Sequence, residues 1–571
     1  MKSDQAILIR YRWLFLGLIV LGIGFRIFDL GDRVFWVDEV ATAMRIAGYT
    51  KSELMVQLRD TPALTPIDLK NYIHLTLDTS WSQTWQALIQ HPEHAPLYFL
   101  LLRCWAQLWG SSIVALRSLS VLFSVMAIPL MGRLAYQLFR SHLTAWLTMV
   151  LVALSPFLVA YGQEARAYSL WTVTILLSWS LLLQALETSQ YRYWSLYSLS
   201  ITLGLYTQIL SVLVILAQGL YVSSYILNCA WSQETGCRSR TSCRWTIGLP
   251  YLRGFGGAIV LASLSFIPWL LVLGQQWYNF RANTAGIREP LDLLSSVAMM
   301  VYGAVVLLFD FPIQHIGFDV VTLVKVLGLL AVFSLMGLAL VTLVRHTSPL
   351  VWRGVCLITF FLPLGLITID LVTQSRYSAT PRYLITFHLG MILAIAFYLA
   401  HLFKLRWKRF GAALPPQLLG ESKMQGGYRL TPWAVFWGVV LLCFLSYGLQ
   451  LRQAPKYQKN RNLHNRAIAR VINPMPSPLI LSEPRHVQDL ISLSLDLKSD
   501  VQIQFSTDIA QSLAFARSEQ QSENATILLF HPSQMLLDPL QMEYQSNLYK
   551  AYDPPLLVPH DDALSLWQLE D

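Results

Sequence analysis

From residue 193 to residue 233 the chain runs for 41 residues without one Asp, Glu, Lys or Arg. At about 1.5 Å per residue a single helix of that length would reach about 61 Å, twice the roughly 30 Å hydrocarbon layer of a bilayer. The stretch must therefore hold two helices, and Tyr206, Thr207 and Gln208 mark the turn between them. Windows 141–163, 167–186, 254–280, 383–403 and 431–451 are charge-free as well. Across the 571 residues 54% are hydrophobic, 13% are charged and the mean hydropathy is +0.46, whereas a soluble domain carries about 25% charged residues. Such a chain cannot cover its apolar content with a water-facing surface, so it reads as an α-helical polytopic membrane protein. The 42 Lys+Arg against 33 Asp+Glu leave a net charge of +9. These basic residues sit between apolar runs and form no single patch, so they report orientation in a bilayer and argue against a nucleic-acid partner.

Eleven spans are expected, near 12–30, 116–138, 142–160, 168–186, 193–207, 209–228, 254–273, 320–344, 353–371, 382–403 and 432–450. The first follows Lys2, Arg10 and Arg12, which puts the N-terminus in the cytoplasm. Alternation then places Arg133 and Arg140, Arg192, the 229–253 loop, Arg345 and Arg353, and Lys404 to Arg409 on the same side. An odd count leaves the C-terminus outside, and Met1 to Arg12 lacks the cleavage-site pattern of a signal peptide. The expected location is the inner (plasma) membrane. Segments 95–110 and 293–309 are apolar but short, and counting either as a crossing would invert every later loop, so both read as helices in the outer interface.

The membrane domain is thus expected over 1–451, with an outward insert at 31–95. The tail, 452–571, differs in character. Its strings Leu479-Ile480-Leu481, Val501-Gln502-Ile503-Gln504-Phe505 and Ile527-Leu528-Leu529-Phe530 are separated by helix-length stretches, which suggests a small extracytoplasmic α/β domain. Cysteines 104, 229, 237, 243, 356 and 443 form no CxxC pair. Neither a zinc site nor a disulfide framework is indicated, and the cytoplasmic Cys229, Cys237 and Cys243 should be reduced and inert.

Four groups on the outer side carry chemical interest. Asp38 and Glu39, directly after the first span, offer a general base or a metal ligand, because a poorly solvated carboxylate gains basicity. They equally suit the N-terminus of the following helix. Gln163-Glu164-Ala165-Arg166-Ala167-Tyr168 puts a Glu and an Arg where the positive-inside trend leaves few. Either Glu164 and Arg166 form an interfacial pair, or Arg166 faces a phosphate with Tyr168 as donor. Ser375-Arg376-Tyr377 and Pro381-Arg382-Tyr383 bring two more arginines to that leaflet, matching an anionic headgroup of a substrate or of ordinary phospholipid. His91 and His94, in a Pro-rich turn before Tyr98, are either structural or in contact with substrate.

The order Phe25-Arg26, Asp29-Leu30-Gly31, Phe35-Trp36-Val37-Asp38-Glu39, His94-Ala95-Pro96-Leu97-Tyr98, Arg117-Ser118-Leu119, Ser155-Pro156, Gln163 to Ser169 and Pro381-Arg382-Tyr383 resembles membrane glycosyltransferases of the GT-C fold. It is similar to the protein O-mannosyltransferase, aminoarabinose transferase and RgtA/B/C/D-like group (families 39 and 83), in the form common in cyanobacteria. The resemblance covers about residues 10 to 400 and leaves out the tail. It implies a polyprenyl-phosphate sugar donor and a glycan, lipid or protein acceptor approached from the outer face. It suggests Asp38, with Glu39 beside it, as base or metal-assisting group, and a divalent cation near Asp38 is the one cofactor it admits. Arg166, Tyr168, Arg376, Arg382 and Tyr383 would lie at the donor phosphate, with His94, Tyr98 and Glu164 as substrate contacts. Two positions depart from the family: its His-Pro-Pro-Leu-Tyr reads His94-Ala95-Pro96-Leu97-Tyr98, and a His often found after Tyr-Thr is Gln208.

The residues suit such chemistry independently. A lipid-linked phosphate is already a good leaving group, so one base and cationic stabilisation suffice, whereas a glycosidase needs paired carboxylates flanking the bond. A single acidic cluster also fits inversion at the anomeric centre. A transporter or flippase of lipid-linked sugars is the alternative, but it would place ionisable residues near the midplane and show related halves. A scaffold presenting the tail would need neither the acids nor the arginines.

Overall fold

The computed structural model describes residues 2–59, 61–76, 79–232, 240–289, 292–310, 320–411, 431–450, 461–508, 526–544, 547–554 and 564–569. Among these residues, nine helices are long and apolar enough to cross a membrane: Asp4–Ile27, Ile113–Phe139, Tyr168–Thr188, Ser211–Cys229, Gly248–Gln275, Val326–His346, Pro349–Thr373, Ile385–Trp407 and Pro432–Leu449. The two remaining expected spans are helical in altered form. Tyr191–Thr207 is a helix of 17 residues that ends at Gln208, as the turn signal indicates. Segment 142–160 is not one helix but a pair, His142–Leu154 and Pro156–Gly162, bent by 59°.

The bend follows from Pro156, which has no amide proton to give the carbonyl four residues earlier. Arg26 supplies the missing donors from the first helix, with Nη2 to Val152 O at 2.9 Å and Nη1 to Ala153 O at 2.6 Å. Ser155 caps the second piece and donates to Leu307 O at 2.9 Å. At the far end of the bundle, Asp4 pairs with Lys404 at 3.0 Å and accepts from Ser141 Oγ at 2.7 Å, joining segments that the charge pattern puts on one side. The cysteine-bearing stretch with Cys237 and the side chain of Cys243 lies outside the described residues.

Segment 95–110 is the helix Leu97–Trp109, ended by Gly110 at φ +86°, and 293–309 contains the helix Leu293–Val305. Each has 13 residues, about 20 Å at 1.5 Å per residue, which is short of the hydrocarbon thickness. The insert folds into short helices, Val37–Ile46, Lys51–Gln57, Pro66–Asn71 and Trp81–Gln90. Three of them open on capping boxes set by Thr50/Glu53, Thr65/Asp68 and Ser80/Gln83.

The tail builds a five-stranded sheet of β1 (Leu479–Ser482), β2 (Gln502–Phe505), β3 (Ile527–Phe530), β4 (Leu548–Tyr552) and β5 (Leu566–Leu569), in the order β2-β1-β3-β5-β4. The three strings legible in sequence form the parallel part, β2-β1-β3, while β4 and β5 add an antiparallel edge. Alternate residues serve opposite faces: Ile480, Ile503 and Leu528 join one buried cluster, Leu481, Leu529 and Trp567 another. The first of these clusters is shared with the insert, taking in Phe35, Val40, Met44, Leu54 and Leu69. Leu64 of the insert also bridges Ile503 of β2 through two backbone hydrogen bonds of 2.7 and 2.8 Å. Insert and tail are thus packed into one body above the helix ends.

Candidate active site

The site is organised by the helix Val37–Ile46, which starts from an extended Trp36 that provides no side-chain cap of its own. The cap comes from the tail: Asn462 Oδ1 accepts from Val37 N at 2.8 Å. Ser492 Oγ also donates to Phe35 O at 2.6 Å, and Arg466 donates to Asp32 O. Three tail residues therefore hold the segment that precedes Asp38. Along the helix, the spacing 38, 42, 45 places Asp38, Thr42 and Arg45 on one face. Glu39 turns the other way.

Arg166 arrives from the turn after the broken helix. Gln163 Nε2 fixes that turn to the end of the first helix by donating to Phe25 O and Phe28 O, each at 2.9 Å. The Arg166 guanidinium then reaches Asp38 Oδ2 at 3.5 Å, Asp38 O at 3.2 Å and Thr42 Oγ1 at 3.2 Å. Arg382 arrives from the loop between the helices Pro349–Thr373 and Ile385–Gly411. Its loop is wrapped around Asp370, whose carboxylate accepts from Ser375 Oγ, Tyr377 N and Ser378 N at 2.6 to 2.8 Å. Pro381 opens a turn of 3-10 helix, and Arg382 Nη1 lies 3.0 Å from Asp38 Oδ2. Tyr168 and Tyr383 complete the group, their ring centroids 5.9 and 5.7 Å from the Arg166 and Arg382 guanidinium carbons.

Two arginines thus converge on one carboxylate oxygen, and the electrostatics follow. Burial alone would raise the Asp38 carboxyl, but Arg166, Arg382 and Arg45 outweigh it and hold it below the ordinary carboxylate range. The sequence-based expectation of a basic, poorly solvated carboxylate is therefore not met while the arginines are in place. Burial works against the Arg166 charge, yet Asp38 and Tyr168 raise its pKa. His94 is driven well below its ordinary value by burial and by Arg45, Arg166 and Arg382, so it stands neutral at this positively charged centre.

Several expected site residues have other work. Glu39 is fully buried in a two-pronged pair with Arg117, Oε1 at 2.8 Å from Nε and Oε2 at 2.7 Å from Nη2, and its Oε1 also accepts from Ala165 N at 3.0 Å. It ties the insert to the turn that carries Arg166 and does not join Asp38 as a second reactive carboxylate. Tyr98 is buried and shares a hydrogen bond of 2.7 Å with Ser120, whose Oγ donates to Arg166 O at 3.3 Å, so it supports the site from behind. Glu164 is fully buried in the turn that carries Arg166. Arg376 is fastened by its backbone amide to Ile287 O at 2.9 Å. Among the described residues no contact joins its side chain to Asp38, Arg166 or Arg382.

Sequence reasoning missed Arg45 and Asn462. The seven-residue offset from Asp38 would have put Arg45 on the same helix face. Arg45 Nε and Nη1 and Arg382 Nε meet no hydrogen-bond acceptor among the described residues. A divalent cation beside Asp38 does not fit this donor set: its neighbours are guanidinium cations, and no group of three His, Cys, Asp or Glu able to hold a metal ion occurs among the described residues. The unpaired Arg382 Nε and the convergence of Arg166 and Arg382 on one carboxylate oxygen describe a site for an anion.

Residues 91–232 match the model of a family described as dolichyl-phosphate-mannose-protein mannosyltransferase. Among solved structures, the chain is similar to ArnT from Cupriavidus metallidurans bound to undecaprenyl phosphate, at 12% identity over 98% of this chain and 98% of that one, with a TM-score of 0.48. It is also similar to the archaeal oligosaccharyltransferase AglB from Archaeoglobus fulgidus in complex with an inhibitory peptide and a dolichol-phosphate, at 11% identity over 93% of this chain and 70% of that one, with a TM-score of 0.44. No curated protein matches the chain significantly.

Proposed function

We propose that the protein is an integral membrane glycosyltransferase that moves a sugar from a polyprenyl-phosphate donor to an acceptor hydroxyl at the outer face of the plasma membrane. The observation that carries this reading is the convergence of Arg166 and Arg382 on Asp38 Oδ2, at 3.5 and 3.0 Å, where membrane-length helices end. The family match over 91–232, whose description names a dolichyl-phosphate sugar, supports it.

The donor phosphate competes with Asp38 for the same two guanidinium groups, whose planar donors suit phosphate oxygens. As the phosphate takes them, Asp38 loses the charges that hold its pKa down and becomes a better base. The acceptor oxygen then attacks the anomeric carbon while its proton passes to the Asp38 carboxylate. The anomeric C–O bond breaks, and its electron pair leaves on the polyprenyl phosphate, whose charge Arg166 and Arg382 stabilise. With one reactive carboxylate and no covalent intermediate, the anomeric configuration inverts. Supplying the purified protein with a panel of polyprenyl-phosphate sugars and candidate acceptors tests the reading. Release of polyprenyl phosphate with an inverted product is expected. Movement of an intact donor across a vesicle membrane, with none consumed, would show a transporter instead.

A further inference from the structure

Arg45 is 7% exposed, yet its Nε and Nη1 donors find no acceptor among the described residues. A buried guanidinium normally has its donors satisfied, and Thr42, one turn nearer Asp38 on the same face, already serves Arg166. The Arg45 guanidinium lies 5.8 Å from the Phe99 ring centroid. The carboxylate that acts most strongly on it is Glu93. Glu93 is itself fixed in place: Oε1 lies 3.3 Å from His91 Nδ1 and 3.8 Å from His94 Nε2, and Oε2 accepts from Asn283 Nδ2 at 3.1 Å. Among the described residues, no ion pair within 4.0 Å closes Arg45 onto Glu93. The Phe99 ring beside Arg45 also stands 5.9 Å from the His94 ring, whose Nε2 is the atom 3.8 Å from Glu93 Oε1, so a cation and an anion flank Phe99 and a neutral His94.

We propose that Arg45 and Glu93 form the sugar subsite of the transferase and read a vicinal diol, Arg45 donating to one hydroxyl oxygen and Glu93 accepting from its neighbour. The inference rests on the transferase reading above. The two charges balance each other, so the matching group is a neutral, hydroxyl-bearing ring. An anionic sugar would meet Glu93 at close range. Seven residues separate Arg45 from Asp38, about 10 Å along a helix at 1.5 Å per residue, a separation that a phosphate on Arg166 and Arg382 and one attached sugar ring can span.

The test compares binding of polyprenyl phosphate with binding of polyprenyl-phosphate glucose, galactose, mannose and arabinose to the full-length protein in detergent. Wild type should bind at least one sugar-bearing lipid about tenfold or more tighter than the bare lipid. A deoxy analogue of that sugar lacking one hydroxyl of the diol should lose the gain. Arg45→Gln should erase the gain while leaving affinity for the bare lipid within about twofold of wild type. Glu93→Gln should do the same, and it decides the matter should Arg45→Gln fail to fold. A gain that survives both substitutions overturns the subsite. So does an equal loss for bare and sugar-bearing lipid, which would place Arg45 at the phosphate. Wild type binding no polyprenyl phosphate at all overturns the transferase reading, and this inference with it.

Discussion

Asn462 Oδ1 accepts a hydrogen bond from Val37 N at 2.8 Å, joining residues 425 positions apart and capping from the tail the helix that carries Asp38. Asn462 is fully buried, and its Nδ2 donates to Asp489 Oδ1 at 3.3 Å, itself held by Arg461 Nε at 2.8 Å. Asn462→Ala removes the cap and leaves a buried amide without its acceptor, a loss of about 1–2 kcal/mol. Because Asp38 is the second residue of that helix, kcat should fall about tenfold with the protein still folded, a barrier change of about 1.4 kcal/mol. Steady-state kinetics alongside thermal unfolding checks this. An unchanged kcat would show that the tail does not set the position of Asp38.

The Glu39–Arg117 pair is fully buried on both sides. Removing one partner strands the other charge in a low-dielectric interior, typically at a cost of about 3–5 kcal/mol. Glu39→Gln should therefore act mainly on stability, seen as a large drop in melting temperature and in the yield of folded protein. Normal stability with selective loss of turnover would return Glu39 to the chemistry.

Arg382 reaches Asp38 from a loop that the Asp370 carboxylate organises. Hydrogen bonds to charged groups contribute about 1.5–3 kcal/mol, so Arg382→Ala should raise the donor KM about 10- to 100-fold, with a smaller change in kcat. Arg376→Ala, outside the cluster, should leave the donor KM near wild type. Donor titrations of the two variants separate these outcomes.

The pH profile should be split. A base works only when deprotonated, so activity is lost as pH falls through the pKa of Asp38. In the free enzyme Arg166, Arg382 and Arg45 outweigh burial and lower that pKa, so the acid limb of kcat/KM should lie below the ordinary Asp value of about 3.9. In the donor complex the phosphate holds Arg166 and Arg382, so the limb of kcat should lie at higher pH. Coincident limbs would mean that the arginines never leave Asp38.

Much of this was legible in the chain because membrane solvation acts locally. A charge-free window long enough to span shows its helix whatever its neighbours do, and Gln208 ends Tyr191–Thr207 where the polar turn stands. Arg166 and Arg382 stood out because each adjoins a charge-free window, and Asp38 because it closely follows the first span. The 59° bend at Ser155 had its signal in Pro156, but the partner that makes it tolerable, Arg26, is brought there only by packing. The division of labour between Asp38 and Glu39 was illegible, because adjacent helical residues point about 100° apart and only the fold says which one meets Arg117. β4 and β5 escaped notice because Lys550 breaks the apolar pattern of Leu548–Tyr552 and Gln568 interrupts that of Leu566–Leu569.

The most direct measurement is sugar transfer from a polyprenyl-phosphate donor by Asp38→Asn, made beside wild type in the same membrane. The substitution keeps the side-chain volume and removes the charge that Arg166 and Arg382 share. If Asp38 is the base, full membrane insertion, retained binding of polyprenyl phosphate and no detectable transfer are expected. Transfer at the wild-type rate would contradict that role.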